Sequence, residues 1–275
     1  MASQNPASAS TPASASTPAS ASTPASAFPL NGRDIRNIPR SEVILAAATA
    51  PVIYVAEYAH VKVVRVHDNA VLKFGKQVDA TEGKNMEFVR QHTTIKVPTL
   101  IDAWEVEDKD KNKTSTTYLL MEYVDGIVVE EIWSTLHVPA KLSICNQVCD
   151  AIQQLQAIPF AQPGLVGGGG LCFGPLFNDF GAGPFASVEE MEDWFNERLQ
   201  VCKDFKKVRP DYPSFSGTFK SLVMCHLDLY PRNLMLDKHD RVWILDWAFA
   251  GGYPPCFERA TLELVGKSQY KPWSN

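Results

Sequence analysis

Four polar side chains between residues 226 and 246 have the types and spacing to carry chemistry. They sit in the run Met224-Cys-His226-Leu-Asp228-Leu-Tyr-Pro-Arg232-Asn233, followed by apolar Leu234–Leu236, the polar turn Asp237–Asp240, and Arg241-Val-Trp-Ile-Leu245-Asp246-Trp247. Two short apolar runs joined by a polar turn predict a β-hairpin. Asn233 enters that hairpin and Asp246 leaves it at the same open end, so an amide oxygen and a carboxylate come side by side. Such a pair suits a hard divalent cation such as Mg²⁺, which takes oxygen ligands and keeps waters for substrate phosphates. Asp228, five residues before Asn233, is placed to accept a proton from a substrate hydroxyl. A general base of that kind contributes roughly 10²–10⁴-fold in rate.

A second pair lies upstream. Val61–Val66 and Ala70–Phe74 are β-branched, apolar runs flanking His67-Asp68-Asn69, and predict another hairpin. Period-2 alternation puts Lys73 on the face of Val71, so this lysine is either an exposed strand residue or holds something. A helix is expected over 80–91, with Asp79 as N-cap and Glu82 as capping-box partner. At 100° per residue, Glu82, Met86 and Val89 fall within about 60° of one another, while Glu87 lies about 140° away. Glu82 therefore projects toward the sheet, where it either caps its own helix or reaches an inward cation, with Lys73 the nearest.

The remaining elements position these groups. Val97–Ile101 restarts an extended segment, Glu105–Lys113 is a charged turn, and Tyr118–Val124 is an apolar strand that Asp125-Gly126 terminates as a hinge. Beyond it the pattern turns helical. Residues 139–158 place Leu142, Val148, Ile152 and Leu155 at helical spacing. Ser187–Glu190 is a capping box opening a helix to about Phe205, with Met191, Trp194, Phe195 and Leu199 as its core stripe. The Gly167–Gly170 run lacks both a following helix and a Gly-Lys-Ser/Thr, so it predicts a flexible hairpin tip rather than a phosphate loop.

Composition narrows the function classes. The net charge is −5 over 275 residues, which excludes a strongly basic nucleic-acid binder by bulk charge. The longest apolar run, 43–56, is broken by Pro51 and falls short of the roughly 18 residues of a membrane span. The first charged residue is Arg33. Before it, Ala-Ser-Ala-Ser-Thr-Pro occurs three times, placing Pro12, Pro18 and Pro24. Such a stretch cannot bury enough apolar surface to order itself, so 1–32 is expected to be a disordered repeat, with the features of neither a secretory signal nor a transit peptide. The six cysteines form no CxxC pair and are expected to pack as small apolar side chains in a cytoplasmic protein.

The motif His-x-Asp-x₄-Asn, followed thirteen residues later by Asp246, resembles the catalytic and metal segment of the protein-kinase-like fold. Asp246-Trp247 in place of Asp-Phe-Gly is similar to the aminoglycoside phosphotransferase and choline kinase-like branch. The strings VLKFG, LLMEYVDG, HLDLYPRN and LDWAFAGGYPP are similar to fungal-type members of that family. The resemblance spans about 40–260. It implies an α+β, bilobal fold. Residues 33–125 would form a nucleotide-binding N-lobe with an antiparallel sheet and one helix, and 126–275 a mainly helical C-lobe with the catalytic hairpin. It implies that Lys73 holds the ATP phosphates, that Glu82 fixes Lys73, and that the backbone of Glu122 to Val124 bonds the adenine. It further implies that His226 orients the catalytic loop, Asp228 is the catalytic base, and Asn233 and Asp246 bind Mg²⁺.

The implied activity is ATP- and Mg²⁺-dependent phosphoryl transfer to a hydroxyl of a small molecule, by a monomer with no nucleic-acid or membrane partner. The alternative is a nucleotide-binding pseudokinase without turnover. Three departures bear on the choice: no glycine occurs between Ser41 and Phe74, Ala248 stands where relatives often carry Glu, and only 29 residues follow Asp246. The short tail argues against a protein substrate. The acceptor pocket is expected beside Asp228, between the 185–205 helix and Gly252–Phe257, and acids on those walls would favour a cationic acceptor.

Overall fold

A computed structural model of the chain describes residues 28–57, 60–107, 115–178 and 180–266. Most of the Ala/Ser/Thr/Pro repeat, most of the charged 105–113 turn and the last nine residues lie outside them.

The N-lobe is a five-stranded antiparallel sheet in the order β1-β2-β3-β5-β4, from β1 (Val52–Ala56), β2 (Val61–His67), β3 (Ala70–Gly75), β4 (Leu100–Val106) and β5 (Thr116–Glu122). Pro51 splits the apolar run 43–56: α1 (Arg40–Ala46) stands before it and β1 after. The two faces of the sheet feed different cores. Val64, Val66, Leu72 and Leu120 pack beneath α1 with Val43 and Ala46, whereas Val71, Leu119 and Met121 face α2 (Thr81–His92) and the second lobe. Lys73 shares the face of Val71, as period 2 requires. Gly75 ends β3 where no side chain fits: a Cβ there would lie 2.0 Å from the His60 carbonyl oxygen of the β1–β2 turn. Gly83, a costly residue in a helix by propensity, is explained by packing, since a Cβ would lie 3.0 Å from the Leu100 side chain. It lets α2 approach β4.

The C-lobe follows the expected hinge. It comprises β6 (Gly126–Val128), α3 (Val129–Ile132), α4 (Val138–Gln156), β7 (Pro159–Phe160), α5 (Val188–Asp204), β8 (Leu222–Cys225), β9 (Leu234–Asp237), β10 (Val242–Ile244), β11 (Gly251–Tyr253) and α6 (Cys256–Gly266). Two three-stranded sheets, β10-β9-β6 and β11-β8-β7, support the site. Helix α4 buries Ile144, Val148, Ala151 and Leu155; Leu142, expected on its core stripe, is exposed instead. Ser187 caps α5 by accepting the Glu190 N–H, and the Glu190 carboxylate returns to the Ala186 N–H. The Gly167–Gly170 run is a loop with three residues at positive φ, 167 to 169, and no helix beside it. All six cysteines are free thiols. No helix among the described residues is long and apolar enough to cross a membrane. The whole is the α+β, two-lobed, protein-kinase-like arrangement.

Candidate active site

The hairpin β9–β10 does what its sequence predicts. Its strands pair Leu234 with Ile244 and Leu236 with Val242, and the Leu245 N–H donates to the Asn233 carbonyl at 2.8 Å. That bond closes the open end and sets Asn233 beside Asp246. Asp237 fastens the other end. Its carboxylate accepts the His239 and Arg241 amides, the Arg241 guanidinium and the Trp243 indole N–H, all within 3.0 Å.

Across the cleft, Lys73 Nζ donates to both Glu82 oxygens at 2.9 and 2.7 Å and to Asp246 Oδ1 at 2.9 Å. Of the two readings open for Glu82, the structure realises the inward one. The capping box is not formed: the N-cap is Ala80 with no side-chain capping bond, and Asp79 instead accepts the Thr81 N–H. Burial works against the Lys73 charge, but Asp246 and Glu82 outweigh it and hold the ammonium firmly protonated. Burial pushes the Glu82 carboxyl up to about 7 against the pull of Lys73. Burial likewise opposes Asp246, yet Lys73 keeps its carboxyl below the ordinary range. One ammonium thus joins sheet, helix and catalytic hairpin.

Asp228 is buried, and both its oxygens already accept hydrogen bonds. Arg232 donates to Oδ1, and Asn233 Nδ2 donates to Oδ2 at 2.6 Å and to the Asp228 carbonyl at 2.9 Å. Burial raises the carboxyl to about 6, with Arg232 pulling the other way. Because the Asn233 NH₂ faces two acceptors, its amide orientation is fixed and its Oδ1 is the atom left for a ligand. Asp246 keeps Oδ2 beside the Lys73 contact on a side chain that is 42 % exposed. An amide oxygen and a carboxylate oxygen match an oxygen-seeking cation. Among the described residues no cluster of three or more His, Cys, Asp or Glu could hold a metal. A cation here must therefore draw its other ligands from water and substrate, which is the habit of Mg²⁺.

His226 is wholly buried and lowered to about 4 by desolvation, so it is neutral. Its Nδ1 accepts the Asp228 N–H at 3.1 Å, which leaves the proton on Nε2 for the Leu245 carbonyl at 3.0 Å. It also packs edge-to-face on Trp247, 4.5 Å between centroids. The imidazole thus ties the 226–233 loop to the segment leaving β10. Glu122 turns its carboxylate back onto Thr99, accepting from N at 3.0 Å and Oγ1 at 2.7 Å. The Glu122 side chain is thus engaged, as are the N–H groups of Glu122 and Tyr123, which donate to the Thr99 and Asn69 carbonyls, both at 2.9 Å.

Several positioning residues escaped the sequence. Glu258 of α6 is buried and accepts the His226 and Leu227 amides at 2.6 and 3.1 Å, holding the 226–233 loop from 32 and 31 residues away. Asn85 of α2 donates to the Trp247 and Ala250 carbonyls at 2.7 and 3.0 Å. Arg232 could be found only through its i+4 spacing from Asp228. Asp237 carried a signal, since an Asp opening a hairpin turn accepts the amides two and four residues on. Leu227 and Asp246 hold positive φ of 66° and 60°, backbone conformations that cost non-glycine residues energy and gather at functional sites.

The architecture is shared with solved phosphotransferases. The GDP and kanamycin complex of APH(2")-IIia superposes with a TM-score of 0.52 at 13% identity, covering 85% of this chain and 82% of that one. A thermostable mutant of aminoglycoside phosphotransferase APH(4)-Ia, in a ternary complex with ADP and hygromycin B, gives 0.51 at 15% identity, covering 83% and 77%. At such identities the likeness is one of fold. No curated protein sequence matches the chain. The family model of the APH phosphotransferase enzymes matches residues 62–262, from β2 into α6, and the chain belongs to that phosphotransferase enzyme family.

Proposed function

We propose that this protein transfers the γ-phosphoryl group of ATP, with Mg²⁺, to a hydroxyl of a small molecule. The observation that carries this reading is a pair of neighbouring side-chain clusters, Glu82–Lys73–Asp246, which spans the cleft, and Arg232–Asp228–Asn233, within the second lobe. Lys73 would hold the α- and β-phosphates, and the Glu122–Val124 backbone would bond the adenine. Asn233 Oδ1 and Asp246 would hold Mg²⁺, which when bound neutralises phosphate charge as the leaving group departs.

Asp228 would take the acceptor hydroxyl's proton. The new O–P bond forms as the bond from Pγ to the β-phosphate oxygen breaks and ADP leaves. A carboxylate has about four lone-pair sites, so the Arg232 and Asn233 bonds leave room for a hydroxyl. They also fix the carboxylate's direction, which is where positioned acid–base groups gain most of their effect. The β1–β2 connection contains no glycine and so lacks the sequence of a Gly-rich phosphate loop. In its place the charge of Lys73, set by two carboxylates, would carry phosphate binding.

Titration calorimetry with Mg-ATP and an ADP-release assay over an acceptor panel test the reading. Binding is expected in the micromolar to millimolar range common for enzyme substrates, with ADP release that Asp228→Ala lowers at least 10²-fold. Binding without acceptor-stimulated release across the panel, unchanged by Asp228→Ala, would make the protein a nucleotide-binding module without turnover.

A further inference from the structure

Of the two walls expected for the acceptor pocket, α5 carries the exposed acids Glu189, Glu190, Asp193 and Glu197, whereas the Gly252–Phe257 side and the loop preceding α5 are nearly free of charge. Residues 161–187 contain a single charged residue, Asp179, which lies outside the described residues, and residues 247–257 contain none. These two neutral segments are sewn together beside the metal strand. Gly164 and Gly252 exchange backbone hydrogen bonds at 2.9 and 2.7 Å. Glycine is required on the β11 side, since a Cβ on Gly251 would lie 2.4 Å from the Gly164 carbonyl oxygen.

Further along, Cys172 and Ala182 form an antiparallel bridge, exchanging hydrogen bonds at 2.8 and 2.9 Å. Both face inward onto the aromatic cluster of Phe177, Tyr253 and Phe257. By alternation their neighbours face out: Leu171 and Phe173 are 39 % and 36 % exposed. Gly181, opposite them, is bare backbone beneath both side chains, where a Cβ would lie 2.9 Å from the Phe173 ring and 3.0 Å from Leu171. The residue after Phe173, Gly174, faces Phe249, whose ring would lie 3.4 Å from a Cβ there, and Phe249 follows Asp246 by three residues. An apolar ledge of Leu171, Phe173 and Phe249 thus begins beside the metal-binding carboxylate.

The buried acids of this side are already engaged. Glu192 of α5 accepts the Gly217 and Phe219 amides, both at 2.7 Å, and Glu258 holds the catalytic loop. Laid against the 161–178 and 247–257 segments, a polycation would shed water without gaining a carboxylate partner from their described residues, a costly exchange. A ring system laid on the ledge would bury apolar surface against aromatic faces.

We propose that the acceptor is a hydroxylated compound built on an apolar or aromatic ring system and carrying at most one positive charge, recognised by Leu171, Phe173 and Phe249. The proposal rests on the phosphotransferase reading above and names the substrate class of that same site.

The test is ADP release by the full chain with Mg-ATP, comparing neutral hydroxylated aromatics, singly charged aromatic alcohols and polycationic aminoglycosides. Ring alcohols should raise release at least tenfold over the water background, and aminoglycosides should not. Phe173→Ala should raise the acceptor KM about tenfold with little change in kcat, and Phe173→Trp should restore it, consistent with the loss and recovery of aromatic contact. Stimulation by aminoglycosides with silence from every ring alcohol overturns the proposal, as does an acceptor KM indifferent to Phe173→Ala. Calorimetry on the same sample separates the two claims. Absence of Mg-ATP binding refutes the phosphotransferase reading itself, whereas intact ATP binding with the wrong acceptor class refutes only the ledge.

Discussion

Asp237→Asn is the substitution whose cost follows most directly from geometry. Oδ1 accepts the turn amides of His239 and Arg241 at 2.9 and 3.0 Å, and Oδ2 accepts Arg241 Nε at 2.8 Å and Trp243 Nε1 at 3.0 Å. Asparagine retains one accepting oxygen. If it serves the turn, the new NH₂ group faces a guanidinium and an indole N–H, both donors. Losing the charge-assisted bond to a half-exposed Arg241 costs about 1 kcal/mol. Orphaning the partly buried indole N–H costs about 1–2 kcal/mol more. The expected loss is therefore roughly 2–3 kcal/mol at pH 7, read as a urea midpoint lowered by about 1 M.

The same carboxylate predicts a pH signature. Burial opposes its charge, but the bonds from Trp243, Arg241 and the turn amides win and hold it well below the usual carboxylate range. A depressed native pKa means stability that is present above the unfolded value of about 4 and lost as pH falls below it. The gap between wild type and variant should narrow on acidification. Because the hairpin sets Asn233 against Asp246, Mg-ATP affinity should fall with stability. A variant within about 0.5 kcal/mol of wild type at pH 7, or a gap unchanged down to pH 3, would refute the reasoning.

Other expectations follow from the same contacts. Glu258→Ala orphans two buried amides of the catalytic loop and should cost about 2–5 kcal/mol in thermal or urea unfolding, with kcat falling more than Mg-ATP affinity. Since the base must be deprotonated and Asp228 is raised to about 6, the kcat profile should decline below about pH 6; a rate flat to pH 4.5 would argue against Asp228 as base. Gly75→Ala drives a Cβ into the His60 carbonyl and should destabilise by about 2–4 kcal/mol, seen as a lowered melting temperature.

The sequence disclosed the site better than its supports. Local periodicity was enough to place Lys73 inward, Glu82 on the sheet-facing stripe, and Asn233 beside Asp246, because hairpins and helices set those relations over a few residues. Periodicity left Glu82 between capping and pairing; the choice was made by Lys73, nine residues away, and Asp246, 173 residues from Lys73. Glu258, Asn85 and Glu192 gave no local signal because their partners are backbone amides and carbonyls, which look the same at every position of a sequence. Leu142 is exposed because at 100° per residue it lies about 120° from Val148 and about 140° from Leu155 around α4, off the buried stripe of Ile144, Val148, Ala151 and Leu155. Along α5, Glu192 is taken up by the Gly217 and Phe219 amides, which only the fold brings near.

Helix α2 lies with the N-lobe in sequence, yet it is also fastened the other way. Asn85 is bound to the Trp247 and Ala250 carbonyls, Thr94 to the Gln154 side chain of α4, and the Lys96 carbonyl takes the Ile244 N–H. Toward the sheet it has the close Gly83–Leu100 approach and the Lys73–Glu82 pair. Helix α2 and the segment that follows it are thus held on both sides, to the sheet through Met86, Val89 and Glu82 and to the second lobe through Asn85, Thr94 and Lys96. If the cleft opens with the second-lobe fastenings intact, the sheet must slide over α2, and the bonds of Lys73 are placed in shear. The phosphate-holding ammonium would then double as a latch, correctly aimed only when the two halves are shut.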